Sequence, residues 1–519
     1  MLQMMGSLST TLSSVSTLVE STASKLRQEV TTDAHRFVLE NIPNEVLANV
    51  FEAAYDLCGR ERNDFSRSIV RVCRKYREIA RKLPRLWSYF VFDKRVSRDM
   101  DLFFELSRDY SIVVEVHCRD FKSLEELKAI MQRLEPHLAH VKELTLYASR
   151  CEPNPSYVEN FLEFLRDQYA GVEFRALDTL RLFYWVPSWS MDPSVPTVGQ
   201  LRVEEGTKMF FKTWKTPVLR ELEIANHIPV RFDHLSAPIS CLKLVLGTPL
   251  GVVAHNGWLP GYYPDESSYW NFGAIVALLT RCGAIEELSI TFSGVTLTDD
   301  GVAKLVSLPK VSKLSLASDL CEGNAWKTFI FALQVENVKQ LDLDLCINGE
   351  GDMTLRKLAE PFRRYEGPHW DNWSKVKEVV LAVEILNPDH DSRSDTETFL
   401  TAFPNLRKLT LKGRYLPLPA QLNVDELETI RVENSRRLDR SFLQSIDGRN
   451  YWEPTYGFNP IRNIELVNCV CECVDDTAIL PLLHKESSLV WCNQSNVRYF
   501  WSRKTSFSTN NSYFSSLKS

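Results

Sequence analysis

Cys469, Cys471 and Cys473 in the run NCVCECV bring three thiols within five residues. On a strand that spacing turns all three sulfurs to one side. Three thiolates could begin a zinc site, with a fourth ligand drawn from the distant His484 or Cys492. Paired zinc cysteines are usually spaced by about two to four residues, so buried strand thiols are the expectation. His137 and His140 lie three apart on a predicted helix, without the carboxylate that accompanies a helical metal pair. They read as surface or capping histidines. No glycine-rich phosphate loop of the Walker type and no G-x-S-x-G elbow occurs, and the NGEGDM stretch lacks a strand-and-helix context. No catalytic residue, metal or cofactor is assigned, and the chain is read as a non-enzyme that works by binding.

The composition agrees with that direction. At 519 residues the chain can bury a large core without disulfides or metal. Its 25% charged residues and net charge of −6 give no general attraction to nucleic acid. No run of eighteen apolar residues suggests a membrane span, and Met1 to Thr10 has no secretory pattern. The twelve cysteines are scattered apart from the trio above, which suits free thiols in a cytoplasmic or nuclear setting.

The elements that must position a binding surface fall into four segments. Residues 1–36 form a polar leader whose spaced apolar residues suit one amphipathic helix or a loosely ordered stretch. Residues 37–92 suggest two helices. Pro43 fits the first turn of one, since its missing N–H has no intrahelical partner there, and Glu45 sits within the positive end of the helix dipole. Asp56 to Asp64, with Gly59, reads as a connecting loop. In SIVRVCRKYREIARKLPRLW, the residues Ile69, Val72, Cys73, Tyr76, Ile79, Ala80 and Leu83 share one helical face, and Pro84 ends the helix.

Beyond residue 110 the rhythm changes to a six-residue unit with apolar first, fourth and sixth positions. Its eleven copies start at residues 141, 177, 219, 239, 285, 311, 338, 376, 406, 427 and 461. Nine of them have polar residues at all three intervening positions, where chance supplies about one, so the repeat is real. Successive copies are 20 to 46 residues apart, against roughly 20 to 29 in regular leucine-rich repeats. Helical segments fit between the units at SLEELKAIMQRLEPHL, YVENFLEFLRDQY, FGAIVALLTRC, TDDGVAKLVSL and ETFLTAF. An α/β array over residues 93–484 is expected, each unit burying its apolar residues against its neighbours. From residue 485 to 519 the chain is rich in Ser and Asn and reads as a flexible tail.

Residues 37–92 resemble an F-box, carried by Ile42-Pro43 with Glu45, Leu47 and Phe51, then Val72-Cys73-Arg74 with Tyr76 and Arg77, and the closing Pro84-Arg85-Leu86-Trp87. The whole is similar to the F-box proteins numerous in mushroom-forming fungi, which carry a small helical F-box before irregular leucine-rich-like repeats. The resemblance implies a substrate-recognition subunit of an SCF-type cullin-RING ubiquitin ligase, partnered by a Skp-type adaptor and a cullin scaffold. It places adaptor contacts on Ile42, Pro43, Glu45, Val46 and Leu47, with Val50 and Phe51 shared between contact and core. An array that binds protein with no ligase role is the alternative.

Target contacts are expected in two places. Side chains between the apolar positions face the concave side of the sheet, among them Arg181, Glu223 and Arg431. Aromatic-rich loops supply the second set: Trp185, Trp189, Trp258, Tyr262 and Trp370.

Overall fold

The structure, a computed structural model, describes residues 42–92, 100–118, 123–149, 156–185, 213–225, 239–247, 268–298, 305–319, 323–347, 360–362, 373–385, 393–414, 418–419, 422–435, 438, 442, 444–446, 448–450, 459–469, 488–492 and 498–502, with a few single positions excepted. Two compact units emerge: residues 1–91 with 98–113, and residues 92–97 with 114–519.

In the first unit, α1 (Asn44–Leu57) starts behind Pro43, whose extended backbone caps it while its carbonyl accepts from Leu47 N–H at 3.1 Å. Leu47, Phe51 and Tyr55 recur every four residues and are buried, as a core-facing helix stripe requires. The expected loop after Asp56 is nearly all helical: α1 runs to Leu57, a single 3-10 turn covers Gly59–Glu61, and α2 (Arg62–Val72) begins at once. Gly59 takes φ +52, the left-handed conformation that lets the chain reverse.

The long second helix predicted through Val72 and Cys73 is two helices. Cys73 is extended (φ −157, ψ 173), and α3 (Arg74–Ala80) begins after it, with Cys73 Sγ accepting from the Tyr76 N–H at 3.5 Å. Val72 and Cys73 continue the apolar period, which is why sequence spacing alone runs the helix through them. Both are exposed.

After a 3-10 turn at Pro84–Trp87, β1 (Tyr89–Phe92) and α4 (Met100–Ser107) complete this core. Trp87 Nε1 donates to Ala80 O at 2.8 Å, its ring meets Phe103 edge-on at 4.9 Å, and Phe90 stacks on Phe104 at 4.5 Å. The boundary drawn at residue 92 therefore moves. The aromatic pair on α4 belongs with the helical unit.

In the second unit, strands lie side by side in chain order. After β2 (Ile112–His117) they are β3 (Val141–Ser149), β4 (Thr179–Trp185), β5 (Glu221–Ala225), β6 (Cys241–Gly247), β7 (Glu287–Ser293), β8 (Lys313–Asp319), β9 (Gln340–Ile347), β10 (Glu378–Ile385), β11 (Lys408–Lys412), β12 (Thr429–Glu433) and β13 (Asn463–Val467). The eleven six-residue units are β3 to β13, one strand each. From β3 onward neighbours pair parallel, and Leu144, Leu180, Leu222, Leu242, Leu288 and Leu314 stand in one register row. Every first, fourth and sixth position of the eleven units is buried.

A second regularity lies at the second position of the units. Asp178 N–H bonds Lys142 O, Arg220 bonds Asp178, Ser240 bonds Arg220, and the relay continues to Arg462 on Glu428, at 2.8–3.0 Å throughout. This ladder begins ahead of the regular strands, so register is set before the sixth position arrives. Intervals that vary from 20 to 46 residues in the sequence are thus taken up outside the strands.

Helices α5 (Leu124–Leu134), α6 (Ser156–Gln168), α7 (Phe272–Arg281) and α9 (Arg393–Leu400) lie where the sequence suggested. TDDGVAKLVSL differs: Val306–Ser307 is a strand paired with Leu333–Gln334, while 299–304 lie outside the described residues. An unforeseen α8 (Gly323–Ala332) buries Trp326, Phe329 and Ile330, whose three- and four-residue steps are the helical period that could have found it.

The segment expected as a tail holds β14 (Ser488–Cys492), parallel to β13, and β15 (Arg498–Ser502), antiparallel to β14. SLVWC and RYFWS supply the β-branched and aromatic residues that strands favour, obscured by the surrounding serines and asparagines. Residues 503–519 lie outside the described ones.

Candidate protein-binding surfaces

On α1 the apolar residues form two stripes. Leu47, Phe51 and Tyr55 face the core, while Pro43, Val46, Val50, Ala53 and Leu57 follow each other at three- and four-residue steps and are exposed. Val46 is 49%, Val50 54% and Leu57 88% exposed. A helix of a monomeric domain ordinarily spends its apolar residues on one face, so the outer stripe is a surplus. Ile42 is half-buried at the start and Glu45 is exposed in the first turn. The surface role that the resemblance gives to Leu47 does not fit: it is 3% exposed, in phase with Tyr55, and Phe51, given as shared between contact and core, lies in the core at 4% exposed.

Other groups fix the angle of α1. Lys75 Nζ donates to Ile42 O at 2.8 Å, and the rings of Phe51 and Tyr76 meet at 4.9 Å and 64°. Arg85 Nη2 bonds both Asp56 carboxylate oxygens at 2.8 Å, with Glu52 3.9 Å away.

On the sheet, residues between the buried positions face outward, and among the described residues charges link three or more at a time in two places, besides pairs such as Lys313 with Glu287 and Lys408 with Glu378. Arg181 on β4 lies 3.2 Å from Glu143, 3.5 Å from Glu221 and 3.2 Å from Glu223, and Lys243 on β6 lies 2.7 Å from Glu221. Burial pushes the Glu223 carboxyl above its ordinary range despite the nearby Lys243 and Arg181. Burial also works against ionised Glu221, but its bond to Lys243 and its proximity to Arg181 outweigh this and hold it below the usual range. The second group joins Arg431 to Glu433 and to Glu465 at 2.8 Å, with Lys412 3.2 Å from Glu433. Two residues along the strands from Arg181, a row of rings crosses the same face. His117 stacks on Tyr147 at 4.4 Å and 20°, and Tyr147 on Phe183 at 4.8 Å and 9°.

Arg181, Glu223 and Arg431 therefore stand where the alternation placed them, each inside an ion cluster. Thr145, Thr179 and Thr410, on the same face, are buried. Lys243, His117, Tyr147 and Phe183 were missed. Carrying the alternation one residue past the units at 141 and 177 finds Tyr147 and Phe183, while His117 precedes the first unit. Trp185 ends β4 opposite Ser149 in register; Trp189, Trp258, Tyr262 and Trp370 lie outside the described residues.

Cys469 follows β13, buried, with its thiol on Val432 O at 3.3 Å; Cys471, Cys473 and His484 lie outside the described residues. His137 and His140 sit on a 3-10 turn, Glu135–His140, instead of the expected α-helix. Among the described residues no group of three or more His, Cys, Asp or Glu is placed to hold a metal, and no described helix is long and apolar enough to cross a membrane.

No family model and no curated protein matches the chain. Among solved structures, the crystal structure of a yeast complex of Rad7 and Elc1 is matched at 15% identity over 90% of this chain and 96% of that one, with a TM-score of 0.26.

Proposed function

We propose that the chain is the substrate-recognition subunit of an SCF-type cullin-RING ubiquitin ligase. The outer stripe of α1 docks a Skp-type adaptor, which joins a cullin scaffold, while the strand array holds a target protein. The observation that carries this reading is the double use of α1: one stripe fills its own core while Val46, Val50 and Leu57 remain exposed. Such a helix face is the kind that another protein's groove completes. The motif residues around it, from Ile42-Pro43 to Pro84-Arg85-Leu86-Trp87, resemble those of an F-box.

No residue here need perform chemistry. Holding a target beside a ubiquitin-charged partner raises the local concentration of its lysines, and that is sufficient for a receptor. Co-expression of the full chain with a Skp-type adaptor and a cullin tests the reading. A stable complex of all three is expected, and a chain that purifies alone contradicts it.

A further inference from the structure

We infer that the outward face of β3 to β6, with the ring row beside it, takes an arginine-bearing basic segment of the target protein. The inference rests on the receptor reading of the array and adds the chemistry of what is received.

Charge supplies the first ground. Among the described residues, Glu143, Glu221 and Glu223 are three carboxylates paired with two cations, Arg181 and Lys243, so this linked group carries one excess negative charge. It is no loose solvated patch, since these carboxylates are only 19–28% exposed. In partial burial a charge without a full partner is costly, and an incoming cation relieves it. The group on β11 to β13 makes the contrast: Glu433 and Glu465 are matched by Arg431 and Lys412. The same fold balances one cluster and leaves the other acidic.

The stacked rings supply the second ground. Tyr147 and Phe183 stand about 7 Å along the strands from the row that holds Arg181 and Glu223, the length of two residues, and about 13 Å from the row of Glu143 and Glu221, with His117 stacked on Tyr147. A planar guanidinium stacks on aromatic rings and bonds carboxylates in the same reach, which an ammonium does less well. Arg in preference to Lys is therefore the expected anchor.

A displayed library of randomised dodecapeptides, selected on the full chain, tests this. Recovered peptides should be basic and enriched in Arg, and recovery should fall about tenfold when Glu143→Gln and Glu223→Gln are combined, the loss of one partly buried charge contact. Tyr147→Leu, which keeps the bulk and removes the ring, should shift the pool away from Arg, and serves if the double variant folds poorly. Glu433→Gln in the balanced cluster should change nothing. Neutral or acidic peptides, no recovered peptides, or basic peptides that bind all variants alike would overturn the inference. Adaptor binding measured on the same samples separates the two ideas: adaptor bound with no basic selection sinks this inference alone, and basic selection without adaptor sinks the ligase reading alone.

Discussion

Lys75 reaches back 33 residues to donate its ammonium to the carbonyl oxygen of Ile42 at 2.8 Å. The bond ties the start of α3 to the entry of α1, just before Pro43 and the exposed stripe. A charged donor on a carbonyl contributes more than a neutral one. Lys75→Met should therefore speed amide exchange in the first turn of α1, by a factor matching about 1–2 kcal/mol, and leave the strand array unchanged. Hydrogen exchange read by mass spectrometry checks this.

The two stripes of α1 should respond in opposite ways. Phe51→Ala empties a core position between Leu47 and Tyr76 and should cost about 3–5 kcal/mol, enough to unfold the helical unit. Val50→Ala shortens an exposed side chain and should change stability by less than about 0.5 kcal/mol. Denaturant titration followed by tryptophan fluorescence, with Trp87 buried in that unit, reports the difference.

Much of the array was legible because its signal is redundant. Leu144, Leu180 and Leu222 each repeat a pattern whose three apolar positions all bury, and eleven copies outlast chance. Single-copy features were less legible. Val72 and Cys73 keep helical period while the backbone breaks between them, a break made by Cys73's extended conformation and thiol cap, which no spacing announces. The core role of Leu47 could be read from its phase with Phe51 and Tyr55, yet resemblance assigned it to the surface. Lys243 hid in the least regular copy, ISCLKL, and the rings of Tyr147 and Phe183 lie one step beyond the unit that revealed their strands.

Arg449 should act as a clip on the C-terminal part of the array. It is 6% exposed, and its guanidinium donates to the carbonyls of Leu422 at 2.6 Å, Asp425 at 3.0 Å and Asn459 at 3.0 Å. Arg449→Met removes the donor from the buried carbonyls of Leu422 and Asn459, while Asp425 O keeps its bond from the Asn459 N–H at 2.9 Å, and should cost about 3 kcal/mol. Arg449→Lys should restore little, because an ammonium cannot span the fork. Limited proteolysis should show new cleavage within residues 422–435 in both variants, with the wild-type chain intact there.

Cys118 and Cys73 should differ in reactivity, and burial of Cys118 should make stability depend on pH. Burial pushes the Cys118 thiol up to about 12, while Cys73 is exposed. In the unfolded chain a thiol ionises near about 8.5, so the folded state holds its proton longer. The stability associated with Cys118 is complete below that pH and is lost as pH rises toward 12. Iodoacetamide at mildly alkaline pH should label Cys73 in the native protein and Cys118 only in denaturant. Cys118→Ala should flatten the alkaline fall in unfolding midpoint.

Calorimetric titration of the full chain with a Skp-type adaptor bears most directly on the role of α1. The wild-type chain should bind, and Val46→Asp with Val50→Asp should weaken binding by roughly thirtyfold or more, about 2 kcal/mol for a pair of central apolar contacts, with an unchanged thermal melt. Equal affinity in both chains, or no binding by either, would contradict the proposal that the outer stripe is an adaptor interface.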